Sequence, residues 1–278
     1  MNGRATEVTV GPHRISVTVF GSGGPAVVVE SAFGGSAQSW RAIAETVGRD
    51  TTVVTYDRAA YGTSGRAMDR RTPREIARDL HGVLDAAGIA RPVVLVGHSH
   101  GGICVRAFAG LYAEEVAGMV LVDSAHETQD QILRGTLPWR VRLLEAMTVP
   151  LLMTVPRKFR GGADRRSIMR EFRSMKLLTA ADQPLAAGAL GARPLIVLTR
   201  GPGSRSPVPE DWRRWHSLHE DLARLSANSR HVVTSQPAHY IHKREPGQVA
   251  GAILDVLRST RTQAPLTELT PPEPPATQ

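Results

Sequence analysis

At 278 residues, the chain is long enough for one large α/β domain with an insertion and too short for two ordinary catalytic domains. Its single cysteine, Cys104, excludes an intramolecular disulfide and reads as a small buried hydrophobe; no run approaches the ~18 apolar residues of a membrane span and residues 1–19 lack a signal-peptide core, so a cytoplasmic protein is expected. The formal charge of +8 is nearly all arginine, with Lys158, Lys176 and Lys243 the only lysines, and no basic run interleaves with aromatics, so nucleic acid is not an expected partner.

Residues 7–10 and 14–20 alternate polar and apolar, which predicts a hairpin turned at Gly11-Pro12. Residues 26–30 predict the first buried strand, opening onto Ser31-Ala32-Phe33-Gly34-Gly35-Ser36, a loop flexible enough to bring backbone amides to a ligand. A helix is expected over 40–47 and a second buried strand over 52–56. Thr72-Pro73-Arg74-Glu75 is a capping box with proline at the first helical position; Ile76, Leu80, Val83, Leu84 and Ala87 then line one helix face up to Gly88.

Residues 93–96 are four β-prone apolar residues, suited to a strand buried on both faces, and Ile103, Val105, Phe108 and Leu111 take up helical spacing. The period changes at Ser99. A strand running straight into a helix leaves the residue between them on a tight turn whose flanking positions must be small, and Gly97 and Gly101 are. Gly97-His98-Ser99-His100-Gly101 is therefore expected to be a nucleophile elbow. An inert serine on a glycine-rich turn would explain Gly97 but not the glycine pair.

Residues 118–122 predict another buried strand, ending at Asp123; strand and helix alternating in this way mean a mostly parallel sheet with helices on both faces. The alternation stops over 126–190, where helical stretches at 139–147 and 167–178 predict a cap inserted between core segments 1–125 and 191–260. The cap holds eleven arginines and lysines against six acids. Its apolar residues include Trp139, Leu143 and Met147, expected to bind substrate; the region reads equally as a lipophilic pocket with a basic rim or as an ordinary helical core with solvated arginines. Strands over 194–199 and 231–235 and helices over 210–227 and 246–257 complete the core, and the proline-rich residues 261–278 are expected to be disordered.

A serine hydroxyl is a weak nucleophile at neutral pH, so Ser99 needs a base, an acid to orient that base, and amides for the developing oxyanion. His239 falls in the loop before the last helix, where it would overhang the carboxyl ends of the strands. His242 is the rival, three residues nearer the helix, and is expected to pack or cap instead. His98 and His100 flank the serine, but alternate residues at a tight turn point apart and no third ligand is evident, so neither metal nor cofactor is expected.

Over nearly the whole of residues 8–258 the sequence resembles the α/β-hydrolase superfamily. The resemblance rests on Gly97-His98-Ser99-His100-Gly101-Gly102, Tyr56-Asp57-Arg58-Ala59-Ala60-Tyr61-Gly62, Val120-Leu121-Val122-Asp123 and Ala238-His239-Tyr240-Ile241-His242. It implies an α/β-hydrolase fold and the chain order nucleophile, acid, histidine, in agreement with Ser99 and His239. It also implies that the oxyanion amides come from His100 and from the loop after the first buried strand. Counting back from Trp40, the family's His-Gly pair falls on Ser31-Ala32, which assigns the second amide to Phe33, or to Ala32 if the register slips by one.

The family acid usually follows the strand that lies here at 195–199, yet residues 200–206 hold no carboxylate. Some relatives place the acid one strand earlier, where Asp123 stands; Glu210 and Asp211 are the alternatives and look like first-turn helix acids. Serine at the elbow favours acyl-enzyme chemistry over the alkyl-enzyme esters formed by aspartate-bearing relatives. Hydrolysis of an ester or thioester of a small or lipophilic molecule is the expected activity. Acyl transfer, cleavage of amides, lactones or carbon–carbon bonds, and ligand binding without catalysis stay open.

Overall fold

The computed structural model describes residues 3–67, 71–129, 171, 185–202 and 209–268. Its framework is an eight-stranded sheet in the order β1-β2-β4-β3-β5-β6-β7-β8. The strands are β1 (Arg4–Val10), β2 (His13–Phe20), β3 (Val27–Glu30), β4 (Val53–Asp57), β5 (Val93–His98), β6 (Val116–Val122), β7 (Leu195–Thr199) and β8 (Ser229–Val233). β1, β2 and β4 pair antiparallel; every later pairing is parallel. The near-continuous valine, leucine and isoleucine runs of β3, β5, β6 and β7 are what a sheet covered on both faces requires, and each of these strands is buried from end to end.

Within those runs successive side chains go to opposite faces, as the pleat demands. Val28, Leu95, Met119, Leu121 and Val197 pack on one face, against α2 (Pro73–Ala86) and α3 (His100–Leu111). Val29, Val94, Val96, Val120 and Ile196 pack on the other, against α1 (Arg41–Val47) and α6 (Pro246–Thr262). Between them in the chain come α4 (Pro209–Ala223) and the single-turn α5 (Ile241–Arg244). The expected capping box is formed, with the Glu75 amide donating to Thr72 Oγ1 and the Thr72 amide donating to the Glu75 carboxylate.

Most of the cap expected over 126–190, with Trp139, Leu143 and Met147, lies outside the described residues. The tail expected to be disordered from 261 needs a correction. α6 runs on to Thr262, and the turn Leu266–Glu268 docks Leu266 at 1% exposure beside Ile253 and Leu257. Burying that one leucine is worth about 2 kcal/mol, and the Leu266 amide donates to Asn228 Oδ1 at 2.8 Å. The prolines that suggested disorder begin to dominate only after this anchor; residues 269–278 lie outside the described residues. No helix among the described residues is long and apolar enough to cross a membrane.

β3 lies between β4 and β5, so the chain leaves its carboxyl end in one direction to reach β4 and returns to the other side for β5. A crevice opens at such a point, outside the carboxyl ends of the strands. The loop after β3 and the turn after β5 meet there.

Candidate active site

Ser99 connects β5 to α3 with φ 54° and ψ −121°, a left-handed conformation that a residue with a Cβ adopts only under constraint. The constraint is visible on both sides. A Cβ at Gly97 would stand 2.6 Å from Val105 and 2.7 Å from the Gly102 backbone, and one at Gly101 would overlap the carbonyl oxygens of Glu30 and Ser31. The Ser99 amide donates to Val122 O at 3.2 Å and its carbonyl accepts from the Ala125 amide at 2.9 Å, tying the turn to the end of β6. The two glycines that marked the elbow in the sequence are thus the positions where α3 presses on β5 and on the loop after β3.

Asp123 follows β6 directly, is fully buried and also has positive φ, 39°. Four donors converge on its carboxylate. Oδ2 accepts from His239 Nδ1 at 2.6 Å and from Arg200 Nη1 at 2.6 Å; Oδ1 accepts from Trp215 Nε1 at 2.8 Å and from the Arg200 amide at 3.3 Å. Burial alone would raise the carboxyl, but the hydrogen bond from His239 and the Arg200 charge overcome it and hold Asp123 well below the ordinary carboxylate range. It is an anion at neutral pH.

His239 stands in the loop between β8 and α5 with its side chain 37% exposed. Its Nδ1–H is committed to Asp123, which leaves Nε2 as the nitrogen able to take a proton. His98, one residue before the serine, donates from Nε2 to the His239 carbonyl at 3.0 Å, and the two rings lie 4.9 Å apart. Burial pushes His98 down to about 4, so it is a neutral donor that locates the histidine loop against the elbow. Among the described residues no hydrogen bond joins Ser99 to His239; catalytic contacts of this kind often tighten only around substrate.

The other expected residues sort themselves by position. His242 is 4% exposed and stacks on Trp40 at 4.5 Å and 6°, so its ring serves packing. Glu210 and Asp211 fall in the first turn of α4, and their side chains lie outside the described residues. His100 opens α3, where its amide has no intrahelical acceptor, while its buried ring sits 3.7 Å from both Glu171 and Cys104. His98 and His100 therefore send their rings to separate partners. Phe33 lies in the turn after β3, and the Gly35 amide closes that turn on the Ala32 carbonyl at 3.0 Å.

Sequence reasoning passed over three residues that shape this site. Arg200 occupies the place where the family acid usually stands and reaches back to Asp123. Trp215, on α4, hydrogen-bonds the same carboxylate and carries the Arg200 guanidinium over its ring at 4.5 Å. Arg58 lies behind the loop after β3, donating to the Ser31 and Ala32 carbonyls. Only Arg58 left a local trace, within the quoted 56–62 stretch.

A parallel sheet with an antiparallel edge, a strained serine between the fifth strand and its helix, and a histidine loop facing it across the carboxyl ends of the strands define the α/β-hydrolase architecture. A family model described as the alpha/beta hydrolase fold matches residues 25–147. The protein YqjL of Bacillus subtilis is 26% identical over 244 residues, 88% of each chain. Two solved structures share the fold. A thermophilic esterase from Thermogutta terrifontis gives a TM-score of 0.62 at 24% identity, covering 94% of this chain and 99% of that one. A serine hydrolase involved in carbazole degradation, the CarC enzyme, gives 0.65 at 17%, covering 92% and 99%. The fold is therefore that of the α/β hydrolases, and the stretch matched by the family model takes in both Ser99 and Asp123.

Proposed function

We propose that the protein is a serine hydrolase that cleaves an ester or thioester of a small or lipophilic molecule through an acyl-enzyme on Ser99, with His239 as base and Asp123 as the orienting acid. The observation that carries the reading is the 2.6 Å contact between His239 Nδ1 and the buried, ionised Asp123, in a loop held to the elbow by His98. His239 Nε2 takes the hydroxyl proton as Ser99 Oγ attacks the acyl carbon. The carbonyl oxygen becomes an oxyanion between the amides of His100 and Phe33, and Asp123 stabilises the imidazolium. Collapse breaks the bond to the alcohol or thiol, which leaves with the proton from His239. Water, deprotonated by the same nitrogen, then attacks the acyl-enzyme and returns Ser99 to its hydroxyl form as the acid departs.

The likeness to an esterase supports this class, and a serine in place of a carboxylate at the elbow supports acyl over alkyl intermediates. Substrate choice is assigned to the 126–190 segment, with Trp139, Leu143 and Met147 as its apolar contacts, and the setting to the cytoplasm. The test is labelling with a fluorophosphonate, followed by a panel of short and long, neutral and anionic esters. Labelling lost in Ser99→Ala and measurable ester turnover are expected. A wild-type protein that neither labels nor turns over any ester overturns the reading in favour of a binding protein.

A further inference from the structure

Arg58 follows β4 directly and is buried behind the loop after β3, with its side chain 3% exposed. Nη1 donates to the Ser31 carbonyl at 2.7 Å and to the Glu30 carboxylate; Nη2 donates to the Ala32 carbonyl at 3.0 Å and to Glu171 Oε1 at 2.7 Å. The Tyr56 hydroxyl donates to the other oxygen of Glu30, and the guanidinium lies over the Tyr61 ring, 4.9 Å from its centroid. Removing an arginine and two carboxylates from water is costly, and apolar side chains of the same volume would fill the space at least as stably. Packing alone does not account for this cluster.

The two carbonyls it holds belong to consecutive peptide units, Ser31–Ala32 and Ala32–Phe33. In a trans peptide the C=O and N–H point to opposite sides of the chain. A guanidinium that grips both oxygens therefore turns the N–H groups of Ala32 and Phe33 away from itself. These are the two amides that sequence reasoning left as candidates for the second oxyanion donor. A positive charge on the oxygen side also polarises each peptide, which strengthens its N–H as a donor. A lysine ammonium lacks the planar fork needed to hold both carbonyls and both carboxylates at once.

Given the acyl-enzyme reading, on which this rests, we infer that Arg58 is a positioning residue of the oxyanion hole: it aims the backbone amides of Ala32 and Phe33, while Glu30 and Glu171 fix its guanidinium. Whichever amide meets the oxyanion, the same arginine stands behind it. Glu171 comes from the 126–190 segment, so that segment contributes a carboxylate to the anchoring of the loop and not only contacts to substrate.

The test compares Arg58→Lys, Glu30→Gln and Arg71→Met with wild type in ester hydrolysis and in the rate of fluorophosphonate labelling, with folding followed by circular dichroism. Losing one oxyanion donor outright costs ~10²–10³ in kcat, so a misaimed donor in Arg58→Lys should cost about 10- to 100-fold with KM within about threefold, and labelling should slow in parallel. Glu30→Gln loosens one anchor and should cost several-fold in the same two readouts. Arg71 is an equally buried cation, paired with Asp79 and bonded to neither carbonyl, so Arg71→Met should lower Tm and leave kcat near wild type. Folded Arg58→Lys with wild-type kcat and labelling rate overturns the inference. If Arg58→Lys does not fold, wild-type kinetics in Glu30→Gln overturns it. A wild-type protein that does not label overturns the acyl-enzyme reading itself, which is a separate outcome.

Discussion

Arg200 and His239 meet on a single oxygen of Asp123, each 2.6 Å from Oδ2. The carboxylate that orients the histidine is thus shared with a permanent cation, and Trp215 and the Arg200 amide occupy its other oxygen. Arg200→Met removes one of four donors from a buried anion. The arginine is 29% exposed, so after discounting for solvent the loss should be about 1–2 kcal/mol, or roughly 2–8 °C in Tm, with kcat falling less than about tenfold. A fall in kcat as large as that of an Asp123 variant would mean that the cation takes part in the charge separation itself.

Asp123→Asn should cost on the order of 10⁴ in kcat, because the amide cannot accept the His239 Nδ1–H and stabilise the imidazolium together. Labelling of Ser99 should persist, slowed. Asp211→Asn and Glu210→Gln, in the first turn of α4, should leave turnover near wild type. Steady-state kinetics on the three variants decides between the acids: loss of orders of magnitude in either of the latter two, with Asp123→Asn active, reassigns the role.

Ser99→Ala and His239→Ala should each abolish turnover, by ~10⁶-fold, without unfolding the chain. His242→Ala should do the reverse. Its ring stacks on Trp40 and is buried, so truncation opens a cavity and costs about 2 kcal/mol while turnover stays within about tenfold. Chemical denaturation paired with kcat measurement separates the two histidines.

Acid should destabilise the fold well before its carboxylates titrate. Burial pushes His98, His100 and His219 down to about 4 and His242 down to about 3. Each is neutral in the folded state where the unfolded chain would protonate near 6.5. The unfolded state therefore binds more protons between these values, and stability falls as pH drops from about 6.5 toward 4, by up to about 1.4 kcal/mol per pH unit for each group. Asp123, held low, adds its own loss below its unfolded value near 4. Denaturant midpoints measured from pH 7.5 to 4.5 should slope steeply downward; a flat profile would mean these rings are solvated.

The elbow was readable because it is local: Gly97, Ser99 and Gly101 sit within five residues, and a change of hydrophobic period marks where strand meets helix. The position of Asp123 at the end of β6 was readable because four apolar residues in a row mark the strand it closes, whereas its contact with His239 joins residues 116 apart. Arg58, Glu30 and Glu171 were not readable, because their meaning lies in partners 28 and 113 residues away. Glu30, after three valines, reads as the polar end of a strand, and Arg58 as the start of a loop. The end of α6 was misjudged for a related reason: proline content dominated the reading, while the buried Leu266 that fixes residues 261–268 is a single apolar side chain.

His239 hangs from the loop after β8, which pairs with β7 alone, forms the rim of the sheet and is at best half-buried; Ser99 issues from β5, which is covered from end to end. Strands at a rim open at lower free energy than strands within. The proposed proton acceptor is therefore mounted on the least secure strand of the parallel sheet and the proposed nucleophile on one of the most secure. On a slow temperature ramp, ester turnover should fade several degrees ahead of the main circular-dichroism transition, and amide exchange should be faster in Ser229–Val233 than in Val93–His98. The molecule would then grow idle before it melts, and cooling from that interval should restore it in full.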